Sequence, residues 1–101
     1  MVYAFTQDVP IDTDMYGRIT AALGDEPMDG LLIHLCVRNP EGGLRYIDVW
    51  ESEEKCALAF DQREHPAVDT AFGGQRPPVE PTVQRLDVVE VTGSAVTGVR
   101  A

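Results

Sequence analysis

Basic residues are scarce in this chain. Eight lysines and arginines stand against 17 aspartates and glutamates, for a formal net charge of -9. A phosphate backbone is held by a basic stripe, so no nucleic-acid partner is expected, and an anionic membrane surface is disfavoured on the same ground. The charge reads as a solvated surface that keeps the protein in solution. Cysteine is scarcer still. Cys36 and Cys56 are too few for a metal cluster and follow no ligand spacing, so no metal is expected, and two reduced thiols fit a cytoplasmic protein. No apolar run is long enough to cross a membrane, and the opening MVYAFTQD lacks the basic start of a secretory signal. Gly-rich phosphate loops, nucleophile elbows and zinc motifs are also missing.

What is present suits one globular domain over residues 1–101, with 44% hydrophobic and 25% charged residues. Val2 to Asp8 mixes Val, Tyr, Phe and Thr, as strands do. Asp12 or Thr13 can cap a helix over 13–23, which Gly24 stops. Leu31 to Arg38 is the clearest strand. A five-residue turn, 39–43, returns the chain as a partner strand, Leu44 to Trp50. Ser52 caps a second helix whose first turn carries Glu53 and Glu54. That helix is expected to break near His65, because Pro66 disfavours helical geometry before it, and to resume as a short piece over 67–72. Val83 to Thr92 reads as a fourth strand and 93–101 as a small-residue tail. The order β-α-β-β-α-β is the ferredoxin-like split pattern: an α+β fold with a four-stranded antiparallel sheet and two helices on one face.

The pleat sends alternate residues to opposite faces. Ile33, Leu35, Val37, Ile47 and Val49 form the more uniformly apolar set and are expected to meet the helices. The turn length places Arg38 opposite Leu44, and continuing that register sets Cys36 opposite Tyr46, His34 opposite Asp48 and Leu32 opposite Trp50. The face left without helices would then carry Tyr46, Trp50, Leu32 and either Phe5 or Tyr3. An apolar patch of that kind calls for cover, so a homodimer formed through it is expected.

The stretch IHLCVRNPEGGLRYIDVWESEEKCALAFDQREHPAV, residues 33–68, resembles the second half of dimeric α+β barrel proteins, the antibiotic-biosynthesis-monooxygenase-like superfamily. VWES, the acidic helix start and HPAV carry the resemblance, and the element order extends it over nearly the whole chain. It implies a dimeric α+β barrel. It also implies a choice among cofactor-independent oxygenases, haem-degrading enzymes, isomerases and members without a known role. The haem-degrading branch pairs a histidine late in the second helix with a tryptophan inside that helix and an asparagine on the first strand. Here Ala59 falls at the tryptophan position and the first strand offers Gln7, so no haem and no other cofactor is expected.

Two residues are candidates for catalysis. His34 facing Asp48 suits a general base oriented by a carboxylate, which fixes the imidazole tautomer and favours its charged form. The plain alternative is a polar pair satisfied within an interface. Phe5, Tyr46, Trp50 and His65 are the expected lining of a pocket for a small, planar aromatic or polyketide-like ligand, Trp50 and Tyr46 by stacking and His65 from the rim. Packing alone would use the same aromatics. Cys36, with no basic neighbour in sequence, reads as a small filler. Two functions follow: a cofactor-independent monooxygenase or isomerase, or a non-catalytic dimeric binding module.

Overall fold

The structure, a computed structural model, describes residues 2–74 and 81–93. Its elements run β1 (Tyr3–Val9), α1 (Thr13–Leu23), β2 (Leu31–Arg38), β3 (Leu44–Trp50), α2 (Glu53–Ala59), a π-helical segment (Phe60–Glu64), α3 (His65–Ala71) and β4 (Val83–Leu86). The four strands form one antiparallel sheet in the order β2-β3-β1-β4. The fold is α+β and ferredoxin-like. No described helix is long and apolar enough to cross a membrane.

Local chemistry sets the helix starts. Asp12 accepts the Met15 N–H at 2.8 Å, and Ser52 accepts the Lys55 N–H at 3.1 Å, each satisfying a donor that the first turn leaves open. Gly24 closes α1 at φ 87°, a left-handed conformation that costs glycine nothing. At the other end of the molecule, Gly42 and Gly43 turn β2 into β3. The Asn39 N–H reaches the Gly43 carbonyl at 3.1 Å, and a side chain on Gly43 would meet the Val9 carbonyl oxygen at 2.7 Å.

The second helix does not break before Pro66. It widens instead. Proline has no N–H, and its ring would crowd the carbonyl four residues back, that of Gln62. The chain accommodates this with a π turn, in which the His65 N–H bonds to the Phe60 carbonyl and α3 continues directly from it. Arg63, inside this segment, donates to the carbonyls of Leu23 (3.2 Å) and Pro27 (3.0 Å), tying it to the end of α1.

The two sheet faces are the reverse of the expected ones. Tyr46, Asp48 and Trp50 point toward the helices and are buried, Trp50 to 0% and Asp48 to 3% exposure. With Phe5, Cys56 and Ala59, Trp50 forms the core, ringed by Tyr3, Met28, Leu31 and Phe60. Ile33, Leu35, Val37, Ile47 and Val49 lie on the opposite face, where Leu35 is 50% and Val37 39% exposed. Uniform apolarity misleads here because the helices supply polar and aromatic partners of their own, so the mixed strand face is the one they can satisfy. A dimer through Trp50 and Tyr46 is therefore ruled out: both are already covered within the chain.

The register holds over most of the hairpin. Arg38 pairs with Leu44, Cys36 with Tyr46 and His34 with Asp48. It shifts between Leu31 and Ile33, so Leu31, not Leu32, stands opposite Trp50. An irregularity of one residue at the end of the edge strand is enough to do this. β4 is shorter than expected, because Val83 pairs with Gln7 and Leu86 with Ala4, and beyond Leu86 the partner strand has nearly run out. Of the expected tail, residues 94–101 lie outside the described residues, as do 75–80 of the proline stretch.

Candidate functional site

On a strand, residues two apart share a face, so Asp48 and Trp50 stand side by side under the helices. The Trp50 indole N–H donates to Asp48 Oδ2 at 3.1 Å. From β2, His34 brings Nδ1 to 2.6 Å from Asp48 Oδ1. Its other nitrogen, Nε2, lies 2.9 Å from the hydroxyl of Tyr16, which reaches down from α1. The result is a continuous hydrogen-bonded row, Tyr16–His34–Asp48–Trp50, open to solvent at Tyr16 and His34 and buried at Asp48 and Trp50. The Tyr46 ring walls it, 5.3 Å from the imidazole edge-on and 5.8 Å from the Tyr16 ring.

The electrostatics follow from this row. The hydrogen bond to Asp48 holds the His34 pKa above the ordinary imidazole value, the Asp48 and Glu64 charges add to it, and burial works against them. Burial pushes the Tyr16 hydroxyl up to about 12, with the Cys36 thiol and Glu64 adding to it, and it raises Tyr46 as well. Glu64, on the π segment, is raised first by burial and then by Asp48, while the charges of His34, His65 and Arg63 oppose this. Burial likewise raises both thiols, Cys56 to about 12, which fits inert fillers better than nucleophiles.

A cleft of about 310 Å³ lies over β1 and β4, with β3 between it and the strand that carries His34. Tyr3, Phe5, Phe60 and His65 give it aromatic walls, and Gln7 and Glu53 give it polar ones. Phe60 joins it to the row: its ring sits 6.0 Å from Phe5, 6.2 Å from Trp50 and 5.9 Å from His65. Of the expected lining residues, Phe5 and His65 face the cleft, whereas Trp50 and Tyr46 stand behind it in the core and against the row. A larger hollow, about 730 Å³, opens elsewhere beside Thr6, Asp8, Arg45 and Gln84. Its two charged groups, Asp8 and Arg45, are spent on each other at 2.7 Å, so the chemistry-bearing residues lie away from it.

His34 and Asp48, paired by turn length alone in the sequence, are brought into contact. Tyr16, Glu64 and Phe60 were missed. A signal for Tyr16 existed, since it shares a helical face with Ile19 and Leu23, three and seven residues on. Glu64 sits four residues after Phe60 and three before the buried Ala67, but the π turn alters that spacing. No group of three or more His, Cys, Asp or Glu among the described residues could hold a metal ion. No protein-family model matches the chain, and no curated protein matches it.

Proposed function

We propose that this protein is a cytoplasmic, homodimeric α+β barrel of the antibiotic-biosynthesis-monooxygenase-like kind. In this reading it takes a small planar aromatic ligand between sheet and helices and moves a proton on it without a resident cofactor. The carrying observation is the 2.6 Å contact of His34 with a carboxylate that is buried, doubly bonded and unable to turn away. Such an arrangement fixes the tautomer of a base and stabilises the imidazolium formed when it takes a proton. Proton removal from an activated substrate is the step that cofactor-independent oxygenation and isomerisation have in common. The partly exposed Tyr16 ring beside the imidazole offers an aromatic surface for such a ligand. The cleft over Phe5, Phe60 and His65 lies on the other side of β3 and is lined by neither His34 nor Tyr16.

Support for the dimer comes from the other side of the sheet. Ile33, Leu35, Val37, Ile47 and Val49 make an apolar strip there with Leu35 half exposed. A second sheet of the same pattern would bury it.

A second reading, a non-catalytic binding module, has one observation in its favour. Trp50 and Asp48 are so fully enclosed that their hydrogen bonds also serve the core alone. Native mass spectrometry of the purified protein, with and without His34→Gln, separates the two. Retention of a small aromatic molecule that the folded variant binds but leaves chemically unchanged supports catalysis. Identical bound species in both proteins would favour the module.

A further inference from the structure

The row Tyr16–His34–Asp48–Trp50 leaves no ring nitrogen of the imidazole unbonded. Imidazole has two nitrogens, and both are taken: Nδ1 by Asp48 at 2.6 Å and Nε2 by the Tyr16 hydroxyl at 2.9 Å. The carboxylate is spent as well, with Oδ1 on His34 and Oδ2 on Trp50. What remains is the phenolic oxygen, which has one proton to give and two lone pairs to offer. It also stands at the end of the row opposite Trp50, on a partly exposed helix residue.

We infer that Tyr16 is the residue of this row that meets the ligand, and that His34 acts on the ligand through it. The inference rests on the acid–base reading of the site given above. With His34 neutral, its Nδ1–H donates to Asp48 and its Nε2 accepts from the Tyr16 O–H. A ligand hydroxyl then donates to the Tyr16 oxygen. As the ligand O–H bond breaks, its proton passes to that oxygen, and the former Tyr16 proton passes to Nε2. The products are a ligand oxyanion, a neutral tyrosine and an imidazolium bonded to Asp48. In the reverse direction the imidazolium donates to Tyr16, and Tyr16 donates to the ligand.

Two features of the surroundings agree with a tyrosine that relays a proton and does not hold a charge. Burial, Cys36 and Glu64 all work against a phenolate at Tyr16, whose pKa is pushed up to about 12. The imidazole plane also lies nearly parallel to the Tyr16 ring, at 15° and 6.3 Å between centroids, so the pair holds its position without the substrate. The Cys36 thiol also interacts with the hydroxyl, which lowers the thiol pKa against the larger effect of burial, but a thiol is only a weak hydrogen-bonding partner.

The test uses 4-nitrophenol, whose ionised form alone absorbs in the visible, titrated against the whole protein and its Tyr16→Phe and His34→Gln variants. Tyr16→Phe keeps the ring and loses only the oxygen, and circular dichroism checks its fold. The wild type is expected to lower the apparent pKa of the bound probe by about one unit, the size of shift a nearby opposite charge produces. Both variants are expected to lose that shift. Carbethoxylation of His34, read by mass spectrometry, supplies a measurement on the wild type itself. A capped Nε2 should react roughly three- to tenfold more slowly than in Tyr16→Phe, the worth of one hydrogen bond. A Tyr16→Phe protein that ionises the probe as well as the wild type overturns the inference and leaves His34 as a direct base. A wild type that fails to shift the probe removes the acid–base reading, and the inference with it. Equal carbethoxylation rates would show that Tyr16 does not cap the ring in solution, which also overturns the inference.

Discussion

Asp48 takes two donors at once, the Nδ1–H of His34 and the Nε1–H of Trp50, and asparagine in its place would serve only one of them. The other donor would face an amide N–H₂ in a buried setting. Asp48→Asn is therefore expected to cost about 1–3 kcal/mol, measured by urea unfolding. The same change has a pH signature. The folded pKa of His34 is raised, first through its hydrogen bond to Asp48, so folding favours the protonated imidazole. The stabilisation is complete below the unfolded value of about 6.5 and disappears as pH rises through the higher folded value. The wild-type melting temperature should fall across that window, and the fall should flatten in Asp48→Asn. An NMR titration of His34 that shows no drop in its pKa in the variant would contradict the assignment. That His34 and Asp48 face each other was legible in the sequence, because a turn of known length sets register by counting. That Trp50 would join them was not. It needed the knowledge of which face the helices cover.

At the scale of the element, the signals that proved readable were the short-range ones. Asp12 and Ser52 each cap the helix they precede through a bond spanning three residues, and a sequence shows three residues at a glance. The hairpin turn is of the same kind. Gly43→Ala should place a methyl group 2.7 Å from the Val9 carbonyl oxygen and force a left-handed backbone onto alanine. A loss of roughly 1–2 kcal/mol from the backbone conformation alone is expected, with the carbonyl clash adding to it. Thermal unfolding of the variant checks this, and an unchanged melting temperature would show that the turn relaxes freely. The elements misjudged from sequence were those decided by distant partners. The fourth strand's own sequence suits a strand of ten residues, but its pairing with β1 covers only Ala4 to Gln7, and past Leu86 just Tyr3 of β1 is left. Pro66 signals a broken helix in sequence because proline forbids one α-helical bond. A π turn evades that bond, and what makes the turn worthwhile is packing: Arg63 reaches α1 and Ala67 is buried.

For the molecule as a whole, the proposed dimer now depends on the aliphatic face of the sheet. Leu35→Glu introduces a charge at the exposed centre of that strip and touches none of the core. Light scattering should report twice the chain mass for the wild type and a monomer for the variant, with the circular dichroism spectrum unchanged. A wild-type monomer at micromolar concentration would sink the dimer while leaving the site intact, since Tyr16, His34 and Asp48 all come from one chain. The burial of Trp50 has a further consequence. It is the chain's one tryptophan, so the emission excited at wavelengths that tyrosine does not absorb comes from a single indole. That indole is bonded to the carboxylate that holds His34, which makes it an optical gauge wired to the imidazole: the charge state of the site can be followed by fluorescence, label-free, in the native molecule.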